Sequence, residues 1–449
     1  MPSSWDAMVV GAGPAGCLAA ERLTSRGLRV LVVDAGPRQR ESARVVEVDR
    51  RVWGYTTVGG SFDWTRVRAV GGRSLVWGGW CCRFPEVVLR RGGFPWGAAA
   101  LAPLYDALEQ RLGVVEGSVD ERYRAAARAL DVTIAPKRGP VARGGRVWSA
   151  LRTNTAARAR TYTAALRLDH AHGRAGAVSL FDLRDGKTKQ RRARAFILAA
   201  SPIETARVLL ESELGASAGR VGRGLVDHMV ASFILLEPRP APPPRGRLPL
   251  SGCAVVESFV NTSARTRRPY RGGFSMEISG PLPLETFGIE RMVPGDETDR
   301  WSVTQIHSLG ELFPDRRRFV DLDPERRDAL GRRVPRVHTG WSRADERLAT
   351  DMKKACVRFA DELAVPGSRL IPLVDPLLFG AGHEAGTCVM GEDEGAPCDP
   401  QGRLRALDNV WIADASALPT AGDRHPTLTV LAHALRAADA AAEYLCGEG

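Results

Sequence analysis

Residues 6–36 read DAMVVGAGPAGCLAAERLTSRGLRVLVVDAG, and their order decides the fold. Ala7–Val10 is a short apolar strand. Gly11, Gly13 and Gly16 follow as GxGxxG, and a helix runs on through Leu23. Leu28–Val33 is a second strand with Asp34 at its end. Gly11 permits a tight turn, Gly13 lets backbone approach a pyrophosphate, and Gly16 lets the helix pack close to the strand. The helix start offers free N–H groups to phosphate, and Asp34 can accept hydrogen bonds from a ribose. A glycine-rich turn alone would explain the glycines. It would not explain strand, glycines, helix, strand and acid in this order. The expected fold class is therefore α/β (α+β overall) with a Rossmann-like nucleotide-binding domain.

The chain has 449 residues, 44% hydrophobic and 26% charged, ordinary for a globular protein with room for two or three domains. No apolar run approaches the roughly 18 residues of a membrane span. The N-terminal segment enters a strand pattern without the features of a signal peptide, so a cytoplasmic location is expected. The net charge of +11 comes mainly from arginine interleaved with Asp and Glu, as in Asp315-Arg316-Arg317-Arg318. No nucleic-acid-binding spacing accompanies it, so neither nucleic acid nor membrane is an expected partner. Eight cysteines form no CxxC pair, and a reduced, mostly buried set is expected.

Further segments carry a specific resemblance. They are VGGRSLVWGG (70–79), FPWGAAALAPLYDALEQRLGV (94–114), AFILAASPIETARVLLES (195–212) and VGRGLVDH (221–228). GHEAGTCVMG (382–391) and DNVWIADASALPTAGDRHPTLTVL (408–431) complete the set. In content and order they resemble the glucose–methanol–choline (GMC) family of FAD-dependent alcohol oxidoreductases over nearly the full length. The resemblance implies a discontinuous FAD-binding domain at about 1–90, 165–228 and 375–449. It also implies an inserted antiparallel-sheet substrate domain at about 91–164 and 229–374. The Pro-rich stretch 237–250 reads as a loop leaving the first domain. Strand-like composition at Val255–Val260, Gly273–Ile278 and Trp301–Ile306 fits one wall of a substrate cavity.

The resemblance also assigns cofactor residues. Gly71, Gly72, Ser74, Trp77 and Gly78 would lie along the flavin, and small residues let backbone pass a flat ring. Several relatives carry a flavin-linking His where this chain has Val76, so non-covalent FAD is expected. Asp414 matches an acidic position near the phosphates or ribityl chain, and Pro426 and Thr427 begin a helix directed at the flavin. Where relatives have the turn VLAAGA, this chain reads ILAASP, with Ser201-Pro202 in place of small residues.

Removing hydride from an alcohol also requires a base for the hydroxyl proton, and histidine suits that task. Of eight histidines, His383 and His425 match the family's catalytic positions. His425 is expected as principal base with His383 holding the same hydroxyl, and relatives differ over which does more. His425 also precedes a long helix pattern, whose positive dipole end favours a neutral, proton-accepting ring. His228 reads as part of a structural motif, His170 and His172 as loop residues, and His433 as packing. No metal is expected: His383 and Cys388 are two candidate ligands without company. A lowered thiol pKa for Cys388 has no visible cause. Gly386 is expected to let backbone pass the flavin.

Trp77 and HPTLT point, within the resemblance, to a sugar-like alcohol, either a pyranoside or an aminoglycoside hydroxyl in antibiotic biosynthesis. The reaction would be oxidation to a carbonyl, with oxygen or another electron acceptor. Glu384, Glu311 and Asp423 are candidate partners for substrate ammonium groups, each equally readable as a solvated acid. Two alternatives remain open at this point: a lyase on the same fold, and oxidation of a non-sugar alcohol. Oxidase and dehydrogenase also both remain open.

Overall fold

The computed structural model describes residues 5–38, 46–47, 53–60, 62–140, 158–217, 220–240, 250, 252–295 and 297–447. The opening stretch forms strand Trp5–Val10, helix Pro14–Ser25 and strand Val30–Val33. The first strand lies between Val30–Val33 and Lys187–Leu198, parallel to both. Val30–Val33 continues in parallel to Arg158–Arg160, and Lys187–Leu198 to Val410–Ile412. Ala7, Met8 and Val9 are fully buried, as expected of a parallel strand covered on both faces. An antiparallel extension, Thr163–Ala171 and Arg174–Asp182, completes this sheet.

One covering layer pairs helix Pro14–Ser25 with the C-terminal helix Thr427–Gly447. Ala15, Ala19 and Ala20 share a core with Ala434, Ala437, Ala438 and Ala441. Such small side chains let the helices approach closely, which seats the start of the C-terminal helix against the glycine loop.

The second sheet has six antiparallel strands: Arg369–Leu378, His228–Glu237, Ser302–Glu311, Phe274–Leu282, Cys253–Val256 and Ile134–Pro136. The strand-like segments read from composition fall largely in it, although residues 257–260 lie beyond the end of their strand and Gly273 and Trp301 just before the start of theirs. Helix Arg343–Leu363 covers one face with Leu348, Met352, Cys356 and Phe359 and opens with a Ser342/Asp345 capping box. On the other face Val255, Glu277, His307 and Ser232 form one cross-strand row. The strand leaving toward the Pro-rich stretch ends at Glu237, and 241–249 lie outside the described residues.

His172 occupies an exposed turn, as expected, but His170 lies in the preceding strand rather than in a loop, with its Nε2 2.8 Å from the Ser212 carbonyl. Among the described residues no helix is long and apolar enough to cross a membrane.

Candidate functional site

At Gly11, φ is +100° and a Cβ would come 2.3 Å from the Ala199 carbonyl oxygen. At Gly16 a Cβ would come 2.0 Å from the Gly11 carbonyl oxygen. Only glycine fits either position. A Cβ at Gly13 would meet nothing within 4 Å, because that side faces a cavity. No side chain caps the helix that begins here, so its first N–H groups remain directed at the cavity. Asp34 accepts hydrogen bonds from the Ala12 and Gly36 backbones at 2.8 and 2.7 Å, which closes the wall of the nucleotide end.

The cavity has a volume of about 470 Å³ and runs from the glycine loop past Trp77 and Gly78 to His383 and His425. Asp414 also lines it and accepts hydrogen bonds from the Ser201 N–H and the Thr205 hydroxyl at 2.8 and 2.7 Å. Ser201 stands at φ +80°, a region a side chain enters at a cost of about 1–3 kcal/mol. The substituted turn therefore keeps a glycine-like backbone, anchored through Asp414.

Two separate segments converge at the far end. His425 Nδ1 lies 3.3 Å from His383 Nε2, with the rings near perpendicular at 76°. Trp80 stacks on His425, with centroids 5.6 Å apart and planes 5° apart. Glu277 Oε1 is 2.7 Å from His425 Nε2, an ion-pair distance without hydrogen-bond alignment. Burial lowers the pKa of His383 well below the usual value, helped by the positive ends of His425, His228 and Arg73. His383 is therefore a neutral ring at physiological pH. His228, whose ring centroid is 5.1 Å from that of His383, is driven down to about 3, again first by burial.

The loop carrying His383 is tied from two sides. Asp227 accepts from the backbone N–H groups of Gly382 and His383, both at 3.0 Å. Arg73 binds Glu384 through both guanidinium arms, at 2.6 and 3.0 Å, and also donates to the Gly382 carbonyl. The His425 segment is tied by a chain of charges that is buried except at its Glu257 end. Glu257 pairs with Arg424, Arg424 with Asp423, Asp423 with Arg91, and Arg91 with Glu311. Lys137 donates from Nζ to the Gly78 carbonyl at 2.9 Å and lies 4.4 Å from the Trp80 ring centre.

Gly11, Gly13, Asp34, Gly72, Trp77, Gly78, Asp414, Pro426 and Thr427 all line the cavity. Three other expected cofactor residues do not. Gly16 packs against Gly11, and the Gly71 N–H donates to the Ala12 carbonyl. Ser74 is buried with its hydroxyl on the Gly71 carbonyl, closing a turn of 3₁₀ helix. These residues build the wall rather than face its contents. Gly386 likewise serves a backbone crossing: a Cβ there would come 2.2 Å from the Gly224 carbonyl oxygen.

Glu384, Glu311 and Asp423 are consumed by Arg73, Arg91 and Arg424, so they are not the open carboxylates expected for a substrate ammonium. Cys388 is buried, with its Sγ 3.5 Å from that of Cys398. Asp227, His228 and His383 each place a ligating atom within 4.8 Å of the others, but Asp227 is already accepting backbone N–H bonds. His433 is buried with Nε2 2.8 Å from the Ile412 carbonyl, a packing role. Sequence reasoning missed Trp80, which directly follows the 70–79 motif, and Lys137 and Glu277, which come from segments that no motif joins to the histidines.

Comparison with known proteins gives a consistent result. Family models described as GMC oxidoreductase match residues 144–230 and 314–434. One described as an NAD(P)-binding Rossmann-like domain matches 9–46. The chain is 28% identical to paromamine 6'-oxidase of Streptomyces fradiae, covering 98% of this chain and 91% of the relative. It is 26% identical to 6'''-hydroxyparomomycin C oxidase of Streptomyces lividus, covering 99% and 92%. Among solved structures, pyridoxine 4-oxidase from Mesorbium loti has the same fold, with a TM-score of 0.72, 20% identity and coverage of 97% and 99%.

Proposed function

We propose that this chain, which belongs to the GMC oxidoreductase family and is an FAD-dependent alcohol oxidoreductase, oxidises a hydroxyl of a sugar-like substrate, with aminoglycosides as the favoured class. One observation carries the reading. The cavity that begins at the uncapped glycine loop ends at two histidines with ring nitrogens 3.3 Å apart. The residues present fit the cofactor. A Cβ at Gly13 would project into the cavity, the helix start offers unspent N–H donors, and Asp34 supplies an acceptor at its nucleotide end.

FAD, when bound, accepts the hydride released from the carbinol carbon. The chain's own task is the hydroxyl proton. In this proposal His425 takes it as principal base, and the neutral His383 shares a hydrogen bond with the same oxygen. Asp227 and the Arg73–Glu384 pair hold the His383 loop, so the two nitrogens meet the hydroxyl without reorganisation. The nucleotide sheet would be the FAD domain and the antiparallel sheet the inserted substrate domain. Strand Arg158–Arg160 belongs to the former by its pairing, so the first inserted segment would close before 158 rather than at 164.

The paromamine and hydroxyparomomycin oxidases support the substrate class. The test is anaerobic mixing of the FAD-loaded protein with aminoglycosides, pyranosides and simple alcohols. The reading expects bleaching of the flavin band, strongest with an aminoglycoside. A flavin that no alcohol bleaches would overturn it and favour a non-redox role.

A further inference from the structure

The acids around the histidine pair are nearly all committed to arginine. Glu384 is held by Arg73, Glu311 by Arg91, and Asp423 by Arg91 and Arg424. Glu277 differs: among the described residues its ion-pair contact is His425, at 2.7 Å from Nε2. A buried carboxylate is stable only beside compensating charge. Burial works against the charge on Glu277, yet His425, His307 and Lys137 together hold its pKa below the usual value.

We propose that Glu277 is a positioning residue for His425. It fixes the ring orientation by facing Nε2 and stabilises the positive charge the ring acquires on accepting the substrate's hydroxyl proton. The inference rests on the assignment of His425 as base. In the step, the substrate O–H bond breaks, the proton goes to the ring nitrogen that does not face Glu277, and the carboxylate keeps its own charge. The hydride leaves with its electron pair to FAD.

The surroundings are built for this. Glu277 sits mid-strand in the antiparallel sheet, locked in register between Val255 and His307. Trp80 lies parallel to the other partner, His425, and packs on Cys253 and Val255 of the strand next to Glu277. Carboxylate and imidazole are thus each fixed by packing, one from each sheet system. The titratable and charged groups facing the pair are His383 and His228 on the loop side, His307 on the neighbouring strand, and Lys137 and Cys82 from the Trp80 side. Burial disfavours a positive charge on His383, His228 and His307, and Lys137 is a cation that Glu277 offsets.

The test compares Glu277→Gln and Glu277→Asp with wild type in anaerobic flavin reduction, as a function of substrate concentration and pH. In parallel, the His425 imidazole is read by NMR in ¹⁵N-histidine-labelled holoenzyme. Gln is expected to lower the limiting rate about 10–100-fold with little change in half-saturation. It should also move the acidic limb of the rate profile to lower pH and loosen the single ring tautomer that Glu277 imposes on His425, and Asp should give an intermediate rate. Should the Gln variant fail to retain FAD, the Asp variant against wild type carries the same comparison.

Unchanged limiting rate and pH profile would overturn the proposal. So would a rise in half-saturation confined to amine-bearing substrates, which would place Glu277 on the substrate instead. A His425→Ala variant with near-normal flavin reduction would remove the underlying base assignment. A slow His425→Ala beside an unaffected Glu277→Gln would remove only this inference.

Discussion

The rings of Trp80 and His425 lie 5° from parallel with centroids 5.6 Å apart, so an aromatic plate backs the candidate base. Lys137 approaches the same indole to 4.4 Å while bonded to the Gly78 carbonyl. Trp80 thus couples the wall along Gly78 to the orientation of His425. Trp80→Ala should lower the limiting rate of flavin reduction about tenfold or more, as expected when a catalytic group loses its orienting surface. Trp80→Phe should retain most of it. Rapid-mixing rates on both variants, with FAD content measured alongside, check this.

Asp423 stands between two arginines, paired with Arg91 at 3.0 Å and Arg424 at 2.9 Å. Burial alone would raise its pKa, but Arg424 and Arg91 hold it below the usual value. Asp423→Asn removes the carboxylate between the two guanidiniums but leaves Arg91 on Glu311 and Arg424 on Glu257. Unfolding measurements should show a loss of about 1–3 kcal/mol, that of charge-assisted hydrogen bonds rather than of an uncompensated charge. The segment leading into His425 loosens with it, so activity should fall further than FAD binding.

Val76 lines the cavity where some relatives carry a flavin-linking histidine, and its side chain has no atom able to form that bond. Acid precipitation of the holoprotein should therefore leave all the yellow colour in the supernatant. A coloured, FAD-bearing pellet would contradict the expectation.

Burial drives His433 down to about 4, partly opposed by its hydrogen bond to the Ile412 carbonyl. The unfolded ring titrates near pH 6.5. Between those values the unfolded chain binds a proton that the folded chain refuses, so this residue's contribution to stability is lost as pH falls from about 6.5 to about 4. His433→Gln, compared with wild type, should gain about 3 kcal/mol in relative stability between pH 7 and pH 4. Paired unfolding curves at the two pH values decide it.

Much of the fold was legible because its signals are local. Gly11, Gly13, Gly16 and Asp34 carry their geometry within one strand–helix–strand unit, and HEAGTC and HPTLT each place a histidine beside its own turn. The site's supports are not local. Arg73 and Glu384 are 311 residues apart, and Glu277 reaches His425 from a different sheet. Glu311 and Asp423 lie near motifs in the sequence and read equally as partners for a substrate ammonium or as solvated acids. Nearness along the chain does not reveal that Arg91 sits between them. Ser74 and Gly386 lie within motifs, and the resemblance puts both against the flavin. Each instead serves its own backbone, Ser74 through the Gly71 carbonyl and Gly386 through its close crossing with Gly224.

The central claim is that the His425–His383 pair removes the hydroxyl proton while FAD takes the hydride. The most direct measurement is the anaerobic single-turnover rate of flavin bleaching in wild type, His425→Ala and His383→Ala, each loaded with FAD and given the same aminoglycoside. The account predicts a fall of about 10²–10⁴-fold for His425→Ala with FAD retained, and a smaller fall for His383→Ala. Bleaching by His425→Ala at near wild-type rate, with full FAD content, would contradict it.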